Sequence, residues 1–301
     1  MTVSGPDVVL GANQYGKAEV RLVRIDRRTS RHRITDLNVT SQLRGAFDAA
    51  HTVGDNAAII ATDTQKNIVY AFAREGVGAP EDFLLRLGRH FTSEFAWVTG
   101  GRWEAEQYSW SRIAVAGDAH DHAFVRGGTE TRTAAVVFAG GEPTVLAGLR
   151  DLAVLKSTGS EFRGFVRDRY TTLPETDDRI LATSVTARWR YNRDDVDYDD
   201  AFAQVRRAML ESFAQTHSLA LQQTLYEMGR HVLAERADVD EIRFSMPNLH
   251  HFAVDLTPFG LDNPGEVFFA ADRPYGLIEA SVLREGADAR HPVWESIGGF
   301  C

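Results

Sequence analysis

The sequence predicts an α+β fold in which antiparallel strands form one layer and helices cover one face of it. Apolar side chains recur at helical spacing from Pro80 onward, whereas apolar and polar side chains alternate over 185–191 as in a half-buried strand. Each half of the chain repeats the order of strands, two helices and strands, which is typical of helices packed on an antiparallel sheet. Two similar domains are therefore expected, residues 1–145 and 146–301.

The first half carries the elements of one such layer. In chain order they are strands at 19–25 and 33–43, a helix that starts near Thr62, a helix over 80–95, and strands at 95–108 and 133–139. Pro80 favours the second helix start because proline suits the first helical turn. Gly127-Gly128 and Gly140-Gly141 predict turns, and 114–121 predicts an exposed loop.

The second half begins near Leu146 and repeats the plan. It consists of a strand over 185–191, helices over 198–213 and 221–232, and strands at 242–246 and 252–256. Period-two alternation returns in the last two segments, so they are expected to rejoin the sheet.

Composition excludes several classes of protein. The 301 residues carry a formal net charge of -9, which argues against a nucleic-acid binder because phosphate neutralisation needs a basic face. The only cysteine, Cys301, rules out an intrachain disulfide and a cysteine metal cluster. The start lacks a signal peptide, no apolar run suggests a membrane span, and the end is not a Ser-Lys-Leu peroxisomal address. A cytoplasmic location, in a bacterium, is expected.

The segment 156–179 combines aromatic rings with arginines. Its rings are Phe162, Phe165 and Tyr170, and its guanidinium groups are Arg163, Arg167, Arg169 and Arg179. Rings provide stacking surfaces, and a guanidinium fork provides paired hydrogen bonds to adjacent acceptors. The combination suits a planar, anionic, nitrogen-rich ligand.

Three further motifs occur in order along the chain: Tyr15-Gly16-Lys17, Ala61-Thr62-Asp63 and Pro247-Asn248-Leu249-His250. Together with 156–179 they resemble the urate oxidase (uricase) family over nearly the whole chain. The resemblance implies two tandem tunnelling-fold domains whose sheets join those of neighbouring subunits into a barrel, as a homotetramer. It also implies oxidation of urate by dioxygen and water to 5-hydroxyisourate and hydrogen peroxide, without a cofactor.

Arg179 and Phe162 are the first candidates for the substrate site. An isolated arginine is usually solvated, and a phenylalanine usually packs in the core. The position of Arg179 after Thr171-Thr172-Leu173 matches the urate-binding arginine of the family, and its fork suits the adjacent oxygen and nitrogen of urate. The resemblance also implies that Phe162 stacks on the purine. Leu173, Leu221 and Ile278 would form an apolar rim.

Gln222 is the candidate for a second polar contact with the ring. A surface glutamine is the commoner interpretation, but its planar amide pairs with a ring N–H beside a carbonyl. The family stretch Val-Gln-Ala-Thr-Leu-Tyr matches Leu221 to Tyr226, with Gln223 in place of alanine. The resemblance therefore selects Gln222 rather than its neighbour.

Asn248 and His250 are two residues apart in a strand-like segment, so both side chains are expected on one face, with His251 on the other. By itself His250 is compatible with a structural, hydrogen-bonded histidine. In the family, the asparagine holds dioxygen or water above the purine and the histidine supports a proton relay. A metal site at His250-His251 or at His120-Asp121-His122, a predicted polar loop, is disfavoured.

By themselves, Lys17 is a basic residue before a strand and Thr62 is a threonine that caps a helix. Asp63 or Thr64 could equally be that cap. The family uses the lysine and threonine as a proton relay, with Asp63 at the substrate. A desolvated lysine near another cation can accept a proton and activate a hydroxyl or water. The resemblance implies that this pair completes the pocket of another chain.

Two other functions stay open at this point. One is a related tunnelling-fold enzyme that acts on pterins or guanine nucleotides, since a fold does not determine chemistry. Such enzymes often use zinc, for which the sequence offers no ligand spacing, and no dinucleotide fingerprint is present either. The other is a non-catalytic purine-binding protein, which would not need Lys17, Thr62, Asn248 and His250 together.

Overall fold

The structure, a computed structural model, describes residues 8–297. The strands β1 to β10 span Tyr15–Asp26, Arg33–Gly45, Val98–Val115, Asp118–Ala139, Thr144–Lys156, Leu181–Tyr191, Val239–Asn248, His251–Ala253, Phe268–Ala270 and Gly276–Leu283. The helices α1 to α5 span Asp48–Thr52, Thr62–Glu75, Pro80–Glu94, Tyr198–Gln215 and Leu221–Glu235. Short 3-10 helices cover Thr257–Phe259 and Pro292–Ser296.

The chain divides into two compact units. The first comprises residues up to Arg126 together with Ala134–Val145. Its strands lie in the order β1-β2-β3-β4, and β2 pairs antiparallel with both β1 and β3. Helix α3 starts at Pro80, packs on β3, and buries Phe83, Leu87 and Phe91 fully. The apolar side chains at helical spacing therefore form the core between helix and sheet.

The second unit comprises Gly127–Thr133 and the chain from Leu146 onward. Its strands lie in the order β5-β6-β7-β10, with β5–β6, β6–β7 and β7–β10 antiparallel. Helices α4 and α5 pack on each other, and α5 packs on β7 and β10. At Gly229 a Cβ would lie 2.6 Å from Val282 Cγ2, so only glycine allows α5 to approach β10 this closely. The predicted α+β layers of antiparallel strands and helices are confirmed.

The hairpin formed by β3 and β4 is longer than predicted from the sequence. Gly127-Gly128 lie inside β4 rather than in a turn, and the predicted loop over 114–121 is wrong. The chain reverses at Ala116 and Gly117, whose φ angles are 53° and 94°. Glycine tolerates a strand conformation when neighbouring strands provide the hydrogen bonds, so the pair does not break β4. His120 and His122 accordingly lie in β4, not in a loop.

The prediction of a strand over 252–256 is wrong for most of its length. Strand β7 ends at Asn248, and only His251–Ala253 forms β8, which pairs with β9 in a separate two-stranded sheet. Between them the backbone bonds elsewhere: Leu249 N donates to Ala182 O (2.9 Å) and His250 O accepts from Ala271 N (2.9 Å). Asn248 and His250 therefore do not share one strand face, contrary to the prediction.

Among residues 8–297 no helix combines the length and apolar character that crossing a membrane requires.

Candidate active site

Lys17 lies in β1 directly opposite Ser41 of β2. The neighbouring Gly16 is required there, because a Cβ would lie 1.8 Å from the Ser41 carbonyl oxygen. The pairing of the two strands shifts between Lys17 and Val20, where Glu19 takes a positive φ of 55°. This irregularity changes the direction of β1 just after Lys17.

Thr62 and Asp63 open helix α2, which packs against β1. The cap position is occupied by Ala61, without a side-chain cap, so the prediction that Thr62, Asp63 or Thr64 caps the helix is wrong. Thr62 is instead the first helical residue, and its side chain is exposed. The pKa of Asp63 is lowered chiefly by its bond to Lys66 and also by the charge of Lys17. The first unit thus places Lys17 near the start of α2.

Phe162 and Arg179 are brought together by paired backbone in the second unit. Phe162 exchanges two hydrogen bonds with Thr176, of 2.9 Å and 3.1 Å, and Arg179 N donates to Ser160 O at 2.7 Å. The Arg179 guanidinium carbon lies 5.0 Å from the centre of the Phe162 ring. Phe165 stacks on Phe162, with 4.9 Å between the centres of the two rings.

Arg179 is a half-buried cation with spare hydrogen-bonding capacity. Burial lowers the pKa of its guanidinium, which nevertheless stays charged at neutral pH. Within the part of the chain that the structure describes, its Nε is buried and has no hydrogen-bond acceptor. A buried donor of this kind is costly unless a partner arrives, so the side chain is suited to an anionic ligand.

Asp178, which no sequence motif indicated, fixes the segment that carries Arg179. Its carboxylate accepts from Thr158 Oγ1 (2.6 Å) and from the backbone N–H groups of Gly159 (2.9 Å) and Ser160 (3.4 Å). The Thr158 hydroxyl is the largest cause that lowers the pKa of Asp178, followed by the backbone bonds. The sequence shows an aspartate beside the candidate arginine, but it does not show which backbone N–H groups the carboxylate binds.

The start of helix α5 is joined to the same segment. Ser218 N donates to Gly159 O (2.9 Å), and Ser218 O accepts from Glu161 N (2.8 Å). Helix α5 begins three residues after Ser218, with Leu221 buried and Gln222 exposed. The side chain of Gln223 accepts from Leu219 N at 2.9 Å, so Gln223 is engaged in the local fold. This difference supports Gln222 as the glutamine available to a ligand.

His250 lies within electrostatic reach of Arg179. Its pKa is lowered first by burial, then by the positive charge of Arg179 and by His251. The histidine is therefore neutral at pH 7 and able to accept a proton. Asn248 ends β7, opposite Thr183 of β6 and Gly276 of β10.

The remaining rim residues are less enclosed. Ile278 lies in β10 opposite Met246 and is partly buried. Leu173 is 48% exposed, and its carbonyl accepts from Arg167 Nη1 at 3.4 Å. The structure does not enclose Leu173 in this chain by itself.

One group of side chains among the described residues has the spacing of metal ligands: Glu211, His231 and Glu235. Both carboxylates also contact Arg207, at 3.7 Å and 3.1 Å. A cation there would compete with an arginine, and none of these residues belongs to the predicted site.

The site residues thus form two sets, Lys17, Thr62 and Asp63 in the first unit and the others in the second. A model of the uricase family matches residues 13–137 and 145–279, which include every predicted site residue. The chain belongs to the uricase family. Uricases oxidise urate with dioxygen, so it is an oxidoreductase of purine degradation whose substrates are urate and dioxygen.

Individual uricases agree with this assignment. The uricase of Arthrobacter globiformis is 64% identical over 300 residues, which cover 100% of this chain and 98% of the relative. The crystal structure of an A. globiformis uricase superimposes with a TM-score of 0.93 over 96% of this chain and 99% of that chain. The uricase of Dictyostelium discoideum is 37% identical over 276 residues, 90% of this chain and 96% of the relative.

Proposed function

We propose that this uricase oxidises urate directly with dioxygen, without a cofactor, and that the residues described above carry the reaction. The observation that carries the proposal is the half-buried guanidinium of Arg179, whose carbon is held 5.0 Å from the Phe162 ring centre. A flat anion that lies against Phe162 would accept a hydrogen bond from the unpaired Nε of Arg179. Urate is planar and a monoanion at neutral pH, and it matches both features.

Arg179 and Gln222 bind the polar edges of the purine in this proposal. The guanidinium fork donates to an adjacent oxygen and ring nitrogen, and the Gln222 amide pairs with an N–H beside a carbonyl. Phe162 holds the ring flat, and Leu173, Leu221 and Ile278 form the apolar rim. Asp63 makes a further polar contact from a neighbouring subunit.

Lys17, Thr62 and His250 move protons, and Asn248 holds dioxygen, then water, over the ring. The Thr62 hydroxyl is too weak an acid or base at pH 7 to act by itself, so it relays protons between Lys17 and a bound water. Neutral His250 accepts a proton in the same chain of groups, consistent with its lowered pKa.

The reaction balances without a further reactant. Urate loses two electrons to dioxygen, which takes up two protons and leaves as hydrogen peroxide. Water supplies the hydroxyl oxygen that bonds to C5 of the oxidised purine, and the product is 5-hydroxyisourate. Because the urate anion is electron-rich, the protein contributes orientation and electrostatic stabilisation in a dry pocket.

The working form is a homotetramer, in which Lys17 and Thr62 of one subunit complete the pocket that Phe162 and Arg179 form in another. Support comes from the division of the site residues between the two compact units. We assign residues 1–145 and 146–301 to tandem tunnelling-fold domains whose sheets join between subunits into a barrel. The cytoplasm is the proposed location.

The test is the addition of urate to purified protein in air-saturated buffer. The ultraviolet absorbance of urate should fall while one hydrogen peroxide is released per urate consumed. A protein that binds urate without peroxide release would support the non-catalytic alternative instead.

A further inference from the structure

Tyr15 connects the strand of Lys17 to the segment that leads into Thr62. Its hydroxyl accepts a hydrogen bond from Ile60 N (2.8 Å) and donates to Ile60 O (3.3 Å). Both backbone groups of one residue are therefore bound by one side chain. The ring is fixed in turn by an edge-to-face contact with buried Phe47, with 4.7 Å between the ring centres.

Gln65 makes a second connection beneath the same residues. It is fully buried on the first turn of α2, where its amide nitrogen donates to Ile60 O (3.1 Å) and its oxygen accepts from Ser41 Oγ (3.1 Å). Ser41 is the residue of β2 that lies directly opposite Lys17. The Ile60 carbonyl thus accepts from Tyr15 and from Gln65 together.

These contacts form a closed path around the two proposed relay residues. Tyr15 precedes Lys17 by two residues and so leaves the strand on the same face, and Ile60 precedes Thr62 by two residues. From Lys17 the path crosses the sheet to Ser41, continues through Gln65 to Ile60, and returns through Tyr15.

We propose that Tyr15 is a positioning residue of the relay, and that together with Gln65 it sets the distance and orientation between Lys17 and Thr62. The inference rests on the relay roles proposed above. Tyr15 does not touch the reacting atoms in this proposal. Proton transfer through a hydroxyl requires heavy-atom distances of about 2.6–3.2 Å, so a small displacement of the α2 start interrupts it.

The test compares Tyr15→Phe with the parent enzyme. Phenylalanine keeps the ring contact with Phe47 but removes both bonds to Ile60. The turnover number kcat should fall roughly tenfold, since displacements of about 1 Å in catalytic geometry cost up to about a hundredfold. The KM for urate should stay within about twofold, because Arg179 and Phe162 are untouched. The pH dependence of kcat should shift, which a loss of fold stability alone would not cause.

Two companion variants make the outcome decisive. Tyr70→Phe replaces an exposed tyrosine of helix α2 and should leave kcat and its pH dependence unchanged. Ser41→Ala removes only the hydrogen bond that orients Gln65, so kcat should fall by less than in Tyr15→Phe. This second variant replaces Tyr15→Phe in the test if Tyr15→Phe does not fold. Unchanged kcat and pH dependence in a folded Tyr15→Phe or Ser41→Ala enzyme would overturn the proposal. If Lys17→Ala also keeps normal turnover, the relay assignment fails; if only Lys17→Ala is impaired, the positioning role alone fails.

Discussion

The guanidinium carbon of Arg179 lies 5.0 Å from the centre of the Phe162 ring, and backbone hydrogen bonds join the segment that carries Phe162 to the segment that carries Arg179. The stacking surface and the cation are therefore positioned by the same pair of backbone segments. An anionic purine needs both at once, one for its face and one for its edge. In the proposed mechanism, Arg179 and Phe162 hold the substrate, whereas other residues move protons. Replacement of a substrate-holding residue should therefore affect KM and kcat differently from replacement of a proton-relay residue.

Replacement of Arg179 by glutamine should weaken urate binding. The variant loses the cationic fork, and a charge-assisted hydrogen bond contributes about 1.5–3 kcal/mol. We expect KM to rise roughly ten- to hundredfold, with a further loss in kcat because the ring is less well oriented. Steady-state kinetics and urate binding without oxygen would measure both effects. Arg230→Gln, at an exposed arginine of α5 paired with Glu227, is the control and should behave as the parent.

Replacement of Lys17 by alanine should spare binding and impair turnover. Arg179 and Phe162 are unchanged, so urate should bind without oxygen as in the parent enzyme. The relay through Thr62 is interrupted, and kcat should fall much more than affinity. Arg24→Ala, a cation on the same strand β1, provides the matched control. Normal kcat in Lys17→Ala would show that the base lies elsewhere.

The pH dependence should reflect His250. Burial and the charge of Arg179 lower its pKa below the ordinary 6.5, so kcat/KM should rise with pH through a limb below that value, as the histidine becomes neutral. In Arg179→Gln one cause is removed and burial remains, so the His250 pKa should move upward. NMR titration of the ring, assigned with His250→Asn, would measure the shift. An identical titration in both proteins would contradict the proposed electrostatic contact.

The lowered pKa of His250 makes the stability of the fold depend on pH. The unfolded chain takes up a proton at this histidine near its ordinary pKa of 6.5, whereas the folded chain takes it up at lower pH. The contribution of His250 to the free energy of unfolding is therefore complete above 6.5 and is lost as the pH falls through the folded-state pKa.

The layers could be predicted from the sequence because helical and strand periodicities are local properties. Pro80 and the apolar residues after it indicated α3 to within a residue of its observed start and end. The length of the β3–β4 hairpin could not be predicted, since Gly127-Gly128 are stabilised as strand by pairing with distant residues. Likewise the break after Asn248 depends on Leu249 N bonding to Ala182 O, a contact between remote segments.

The candidate site was likewise predictable only in part. Its residues could be proposed from sequence motifs, but the residues that hold them in place could not. Gln65 shares a helix face with buried Val69 and Ala73, so a polar residue at an apolar position was the available signal. Its partners Ser41 and Ile60 are defined only by the fold, as is the backbone held by Asp178.

Activity should survive metal removal. The sequence has one cysteine and no dinucleotide fingerprint, and the group Glu211, His231 and Glu235 already contacts Arg207. Dialysis against a strong chelator should leave kcat unchanged, and His231→Asn should do the same. Inactivation by the chelator that one specific metal reverses would contradict cofactor-free chemistry. Loss of that effect in His231→Asn would then locate the ion.

Two inactive variants should restore activity when they share an oligomer. Thr62→Ala disables the set in the first unit, and Arg179→Gln disables the set in the second. If each pocket combines the two sets from different chains, a mixed oligomer contains some pockets with both residues intact. After dissociation and reassembly, the mixture should therefore regain a fraction of parental activity, measured as peroxide release. Reassembly of each variant alone is the control. Mass spectrometry must verify the mixed oligomers, and no recovery in them would show that each chain builds its site by itself.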